Sequence, residues 1–253
     1  MENINLYWPI YKNLENELLK LSEEIHFDDY QLNVYSVKIC DLLLRTVVEI
    51  EAISKELYFD NDGEATLDEN GKDRPPYFDA ECLAHLESLW ILSKKQVLIS
   101  ATTFYFEKDE NRILTPLRNA YKRGGCSWSK AYQAVKHNRT HDITSKKRGT
   151  TPKGNLKNLI CAMATLYLLN IYYKNEKLEN FTQNLAIPFT DVRLGSDIFS
   201  VRTYKPTTFS FLFNGNNALK DIANEATYIV KVTESSYEKI ISKAIEGLEK
   251  KFS

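Results

Sequence analysis

NLKNLICAMATLYLLNIYY, residues 155–173, decides the fold. Its apolar residues recur on every side of a 3.6-residue period, and its one charge, Lys157, stands near the start. A helix that is apolar all round belongs at the centre of a bundle rather than on its surface. The longest apolar run, Leu159–Leu169, is about half of the ~20 residues that a bilayer span requires, so the stretch predicts a core helix and not a membrane anchor.

Working outward, QLNVYSVKICDLLLRTVVEIEAISKELY (residues 31–58) supplies the second long helix. Val34, Ile39, Leu42, Leu43, Val47, Ile50, Ile53 and Leu57 form a wide apolar stripe suited to packing on the central helix. A shorter amphipathic helix, Asn13–Ile25, carries Leu14, Leu18, Leu21 and Ile25 on one face. Asp60–Pro76 holds DNDG, DENG and PP, which is turn chemistry without an apolar face and predicts a mobile loop. Asp79 is placed to cap a helix over about Ala80–Lys95. VLISATTFYF (residues 97–106) fits a strand or the tail of that helix equally well.

Pro116 and Gly124-Gly125 bracket a short helical piece, and Ser127 stands as the N-cap of a helix bearing Trp128, Ala131, Tyr132 and Val135 on one side. The last third changes character. IFSVRTY (198–204), TTFSFLF (207–213) and ATYIVKV (226–232) alternate like strands, and Ser236–Lys251 reads as an amphipathic terminal helix. The expected class is therefore mainly α: a helical domain over residues 1–175 with a small C-terminal α+β appendage over 176–253.

The 253 residues are 43% hydrophobic and carry 33 Lys+Arg against 34 Asp+Glu, a formal net charge of −1, so global charge attracts no polyanion. The charge is instead unevenly placed. Between Arg118 and Lys157 stand eleven cations and one acid, Asp142, a net +10, which leaves −11 for the rest. Arg118, Lys122, Arg123, Lys130, Lys146, Lys147 and Arg148 are the candidate phosphate contacts, because neutralising phosphates releases counterions and yields salt-dependent affinity. A basic loop also serves merely to keep a surface solvated.

At 100° per residue, Trp128, Tyr132, Val135 and Arg139 share one face and His137 lies opposite. An inward guanidinium needs a carboxylate or a phosphate, and Glu49 or Glu51 on the long helix is the nearest candidate; an Arg139–Glu49 structural pair is expected. His137 and His141 have ligand spacing, yet only Asp142 is near as a further donor, so no metal and no cofactor is assigned. Histidine titrates near neutrality, which suits His137 and His141 to acid/base work beside a phosphate, with Lys136 and Arg139 steadying developing charge.

The motif W-x2-AY-x2-VKH-x-R at Trp128–Arg139, followed by the hydrophobic helix, resembles uncharacterised bacterial proteins with HEPN-like helical domains. RTVVEIEAISKELY (45–58) and ESLWILSKKQVLIS (87–100) are similar to the same group, so the resemblance spans about residues 40–175. It implies an all-helical, often dimeric domain that acts on RNA in toxin–antitoxin or phage-defence systems, and a metal-independent ribonuclease in its active members. Those members carry an Arg and a His at a short characteristic spacing. Here Arg139 and His141 have one residue between them and Arg118 and His137 have eighteen, which points to a non-catalytic accessory or scaffold relative as the alternative.

Other chemistries find no support. No glycine-rich phosphate loop, G-x-S-x-G elbow or H-E-x-x-H occurs, and DNDGEATLDENG lacks the register of a calcium loop. Cys40, Cys82, Cys126 and Cys161 are too widely spaced for a zinc knuckle and read as reduced thiols; with an acidic rather than basic start, a cytoplasmic protein is expected.

Overall fold

The computed structural model describes residues 5–137, 153–173 and 189–204. In chain order these form α1 (Tyr7–Glu24), β1 (Phe27–Asp28), α2 (Val37–Asp60), β2 (Thr66–Leu67) and β3 (Asp73–Arg74). A π-helical segment (Phe78–Leu83) then runs into α3 (Ala84–Trp90), followed by a 3-10 turn (Leu92–Lys94), β4 (Val97–Ile99) and β5 (Phe104–Tyr105). α4 (Asp109–Arg112), β6 (Ile113–Leu114), α5 (Ser127–His137), α6 (Leu156–Tyr173), β7 (Phe189–Val192) and β8 (Phe199–Tyr204) complete the described elements.

The class is mainly α. α6 is buried from Leu156 through Tyr172 on nearly every side, as its all-round apolar pattern predicts, and α2 packs along it while α1 and α5 pack against the pair. The start of α6 is fixed by backbone groups: Leu156 and Lys157 donate their N–H to the carbonyls of Val34 and Leu32, both at 2.9 Å. α2 begins later than the sequence suggests, because Ser36 takes the cap and accepts from the Ile39 N–H at 3.1 Å. Thr46 and Ser54 sit on its buried stripe and return their hydroxyls to the Leu42 and Ile50 carbonyls, so neither is left unsatisfied. Among the described residues no helix is long and apolar enough to cross a membrane.

Four local expectations are corrected. The stretch 60–76 contains a small hairpin, β2 antiparallel to β3, because Asp68 accepts from the Asn70 and Lys72 N–H groups and Gly71 takes φ 74° at the turn. The single helix expected over Ala80–Lys95 is broken at Ile91, a β-branched residue held at φ 52°. Glu87 spans the break, accepting from both the N–H and the hydroxyl of Ser93 at 2.6 Å. Trp90, the last residue of α3, stacks on Tyr172 of α6 at 4.4 Å between ring centres. Asp79 caps no helix of its own; the bracketed piece over 116–124 is a series of turns, and Asp79 accepts from the Gly124 N–H in them at 2.9 Å.

VLISATTFYF resolves as two strands. β4 is a middle strand of a four-stranded sheet ordered β6-β4-β8-β7, and β5 pairs in parallel with β1. Residues 189–204, which the sequence assigns to the appendage, thus pair with β4 through Leu98↔Ser200 and Ile99↔Phe199. Ile198, Phe199 and Val201 are fully buried in the same core as α6. The strands expected at 207–213 and 226–232 and the helix at 236–251 lie outside the described residues.

Candidate nucleic-acid interface

α5 is amphipathic in the sense its sequence predicts. Trp128, Tyr132 and Val135 are buried, while Lys130, Lys136 and His137 face solvent. Trp128 anchors the helix to the preceding turns by donating its indole N–H to the Pro116 carbonyl at 2.9 Å. Those turns carry Arg118, Lys122 and Arg123, all exposed. Their path depends on glycine: a Cβ on Gly125 would lie 1.9 Å from the Asn119 carbonyl oxygen.

Opposite α5 runs the strap Arg74-Pro75-Pro76-Tyr77, which leads from the hairpin into the π-helical segment. Glu81 organises it. Its carboxylate takes both guanidinium nitrogens of Arg74, one at 2.8 Å, and accepts the Tyr77 N–H at 2.6 Å. The Arg74 guanidinium accordingly holds the Glu81 carboxyl below its ordinary range. Arg74 then lies 4.5 Å from the centre of the Tyr77 ring, and Arg123, arriving from the turns, lies 5.4 Å from the same ring.

Strap, α2 and α5 enclose a cleft of about 520 Å³. Its cations are Lys55, Arg74, Arg123 and Lys136; its carboxylates are Glu51 and Asp79. Lys55 is paired with Glu51 at 2.9 Å and Arg74 with Glu81, whereas Arg123 and Lys136 form no ion pair with any described residue. Lys136 stands with its ammonium 5.3 Å from the Tyr132 ring centre, at the lip between this cleft and a second, more apolar hollow of about 540 Å³. Glu49 lines that second hollow, where partial burial pushes its carboxyl up.

Of the residues singled out from sequence, Arg123 and Lys136 meet in the cleft. Arg118 and Lys130 are exposed outside its lining, and Lys122 stands over Tyr121 at 5.2 Å. His137 is exposed at the end of α5. Arg139, His141, Lys146, Lys147 and Arg148 lie outside the described residues, and with them the Arg139–Glu49 pair. Lys55, Arg74 and Tyr77 escaped the sequence reading because they sit 40 or more residues upstream of the basic segment. The one local signal was an exposed aromatic after two prolines, DRPPY, in a stretch otherwise made of turn residues.

No family model, curated protein or solved structure matches the chain. The HEPN-like resemblance therefore rests on the sequence stretches quoted above: the Trp128–Arg139 motif, the hydrophobic helix after it, and residues 45–58 and 87–100. Among the described residues no group of His, Cys, Asp and Glu is placed to hold a metal ion.

Proposed function

We propose that this chain is a HEPN-like helical protein that binds RNA or another nucleic acid, with α5, the turns before it and the basic stretch after it as the contact surface. The observation that carries this reading is the pair of cations Arg123 and Lys136, which form no ion pair with any described residue and line one cleft, and which come from the most basic forty residues of a chain that is otherwise acidic. Unpaired cations at a cleft attract phosphates and release counterions, which pairing with carboxylates would prevent. The resemblance implies a role in a bacterial defence or toxin–antitoxin system, as a homodimer or beside a partner protein.

Binding without cleavage is the favoured form, with an accessory or scaffold subunit as its biological role. The sequence lacks the Arg–His spacing of the active ribonucleases, and His137 is exposed with no carboxylate bonded to its ring among the described residues. Anisotropy titration against labelled RNA should show affinity that falls steeply between about 50 and 200 mM salt. Lys146→Ala/Lys147→Ala/Arg148→Ala should flatten that slope by about two to three phosphate equivalents. Salt-independent or absent binding sinks the reading. If the protein does cut RNA, His137→Ala/His141→Ala should abolish cleavage and leave binding near wild type; cleavage that persists in the double variant removes both histidines from the chemistry.

A further inference from the structure

We infer that the cleft takes a single-stranded nucleotide segment, with one unstacked base held at the Arg74–Tyr77–Arg123 cluster and its phosphate between Arg123 and Lys136. This rests on the nucleic-acid reading above and narrows it to a strand type and a binding pose.

Four features point the same way. Tyr77 is 51% exposed although two guanidiniums already approach its ring, so an aromatic side chain stays in contact with water at the wall of a cleft. Aromatic and guanidinium planes side by side are the common platform for bases of single strands, since every base offers a π-face and a duplex hides its own. The platform is also stiff. Pro75 and Pro76 restrict the approach to Tyr77, and Glu81 fixes both the Tyr77 backbone and the Arg74 side chain, so little freedom is lost when a base arrives.

The charges sort the occupant further. Among the described cations of the cleft, Arg74 and Lys55 are already neutralised by carboxylates, which leaves Arg123 and Lys136 to bind phosphate, enough for one linkage and its neighbour. Glu51 and Asp79 in the same wall repel phosphate oxygens, yet they are acceptors that suit the exocyclic amines of adenine, cytosine or guanine. A volume of about 520 Å³ is of the size that holds a small ligand such as a single nucleotide.

The test uses the full chain and fluorescence anisotropy with three probes: a labelled single-stranded 12-mer RNA, the same strand as a duplex, and inorganic polyphosphate as competitor. Single strand should bind at least tenfold more tightly than duplex. Tyr77→Ala should weaken single-strand binding about tenfold or more with an unchanged salt slope, Tyr77→Phe should retain it, and duplex binding should not respond to either. Arg123→Lys, which keeps the charge and removes the plane, covers the case in which Tyr77→Ala fails to fold, and it should also lose strand discrimination. If duplex binds as well as single strand, or Tyr77→Ala and Arg123→Lys both bind like wild type with salt dependence intact, this inference falls and the polyanion reading stands. Competition by polyphosphate at equal phosphate concentration that removes all single-strand binding overturns the base contact. Absence of binding to every probe at low salt overturns both readings.

Discussion

Lys95 is the least comfortable residue among those described. It is 1% exposed, its ammonium has no hydrogen-bond partner among the described residues, and burial pushes its pKa down from 10.5 to about 8 against the opposing attraction of Glu87. Burying a cation without a partner costs stability while it is charged. A depressed pKa means that the unfolded chain holds the proton more tightly between about pH 8 and 10.5, so the cost is full below pH 8 and is relieved as pH rises through that window. Lys95→Met should therefore stabilise the protein at pH 7, by on the order of 3 kcal/mol for a shift of this size, and its advantage should shrink toward pH 10. Chemical denaturation of both proteins across pH 7–10 measures the difference; an advantage that stays constant with pH would show that the amine is not what costs. Nothing in the pattern KKQV marks one lysine as buried, since a side chain's burial is set by what packs over it and not by its own segment.

At the scale of elements, α1 is tied to the β7–β8 turn by a cluster centred on one carboxylate. Glu15 is fully buried and accepts from the hydroxyls of Tyr11 (2.6 Å) and Ser196 and from the N–H groups of Asp197 (3.0 Å) and Ile198 (3.1 Å). Lys12 bridges its other oxygen and Asp197, each at 2.5 Å. Replacing the acceptor by an amide turns one accepting site into a donor facing donors. Glu15→Gln should cost about 3 kcal/mol, whereas Tyr11→Phe, which removes one donor of several, should cost about 1 kcal/mol. Urea melts read both, and equal small losses would show that the cluster is not the clasp of α1. The sequence shows why such links are hard to anticipate. Glu15 interrupts an apolar face between Leu14 and Leu18, a visible anomaly, but its partners on the β7–β8 turn stand about 180 residues away.

Long elements were legible because they repeat. The all-round apolar pattern of α6 and the stripe of α2 carry enough turns for the period to override any single residue. The short pieces were not. Two-residue strands such as β2 and β3 have no period to show, and the break at Ile91 arises from the Glu87–Ser93 bonds and the Trp90–Tyr172 stack rather than from a helix-breaking residue. The candidate cleft divides the same way: Arg123 and Lys136 stand out as charge clustering in sequence, while Arg74 and Tyr77 become partners only after the strap folds across to α5.

For the molecule as a whole, the sheet decides how far the helical part can stand alone. β8 lies between β4 and β7, so β4 loses its central neighbour if the chain ends near residue 175. Ile198, Phe199 and Val201 would leave the core, and Phe199 would no longer meet Tyr167 of α6, now 5.7 Å away between ring centres. At about 2 kcal/mol for each buried apolar side chain, that loss is roughly 6 kcal/mol before the Glu15 bonds are counted, comparable with the ~5–15 kcal/mol that holds a typical domain folded. A fragment of residues 1–175 should therefore keep helical circular dichroism but melt broadly and well below the full chain. A sharp melt at the full-chain temperature would instead show two units that fold independently, with β7 and β8 docking onto a helical body that does not need them.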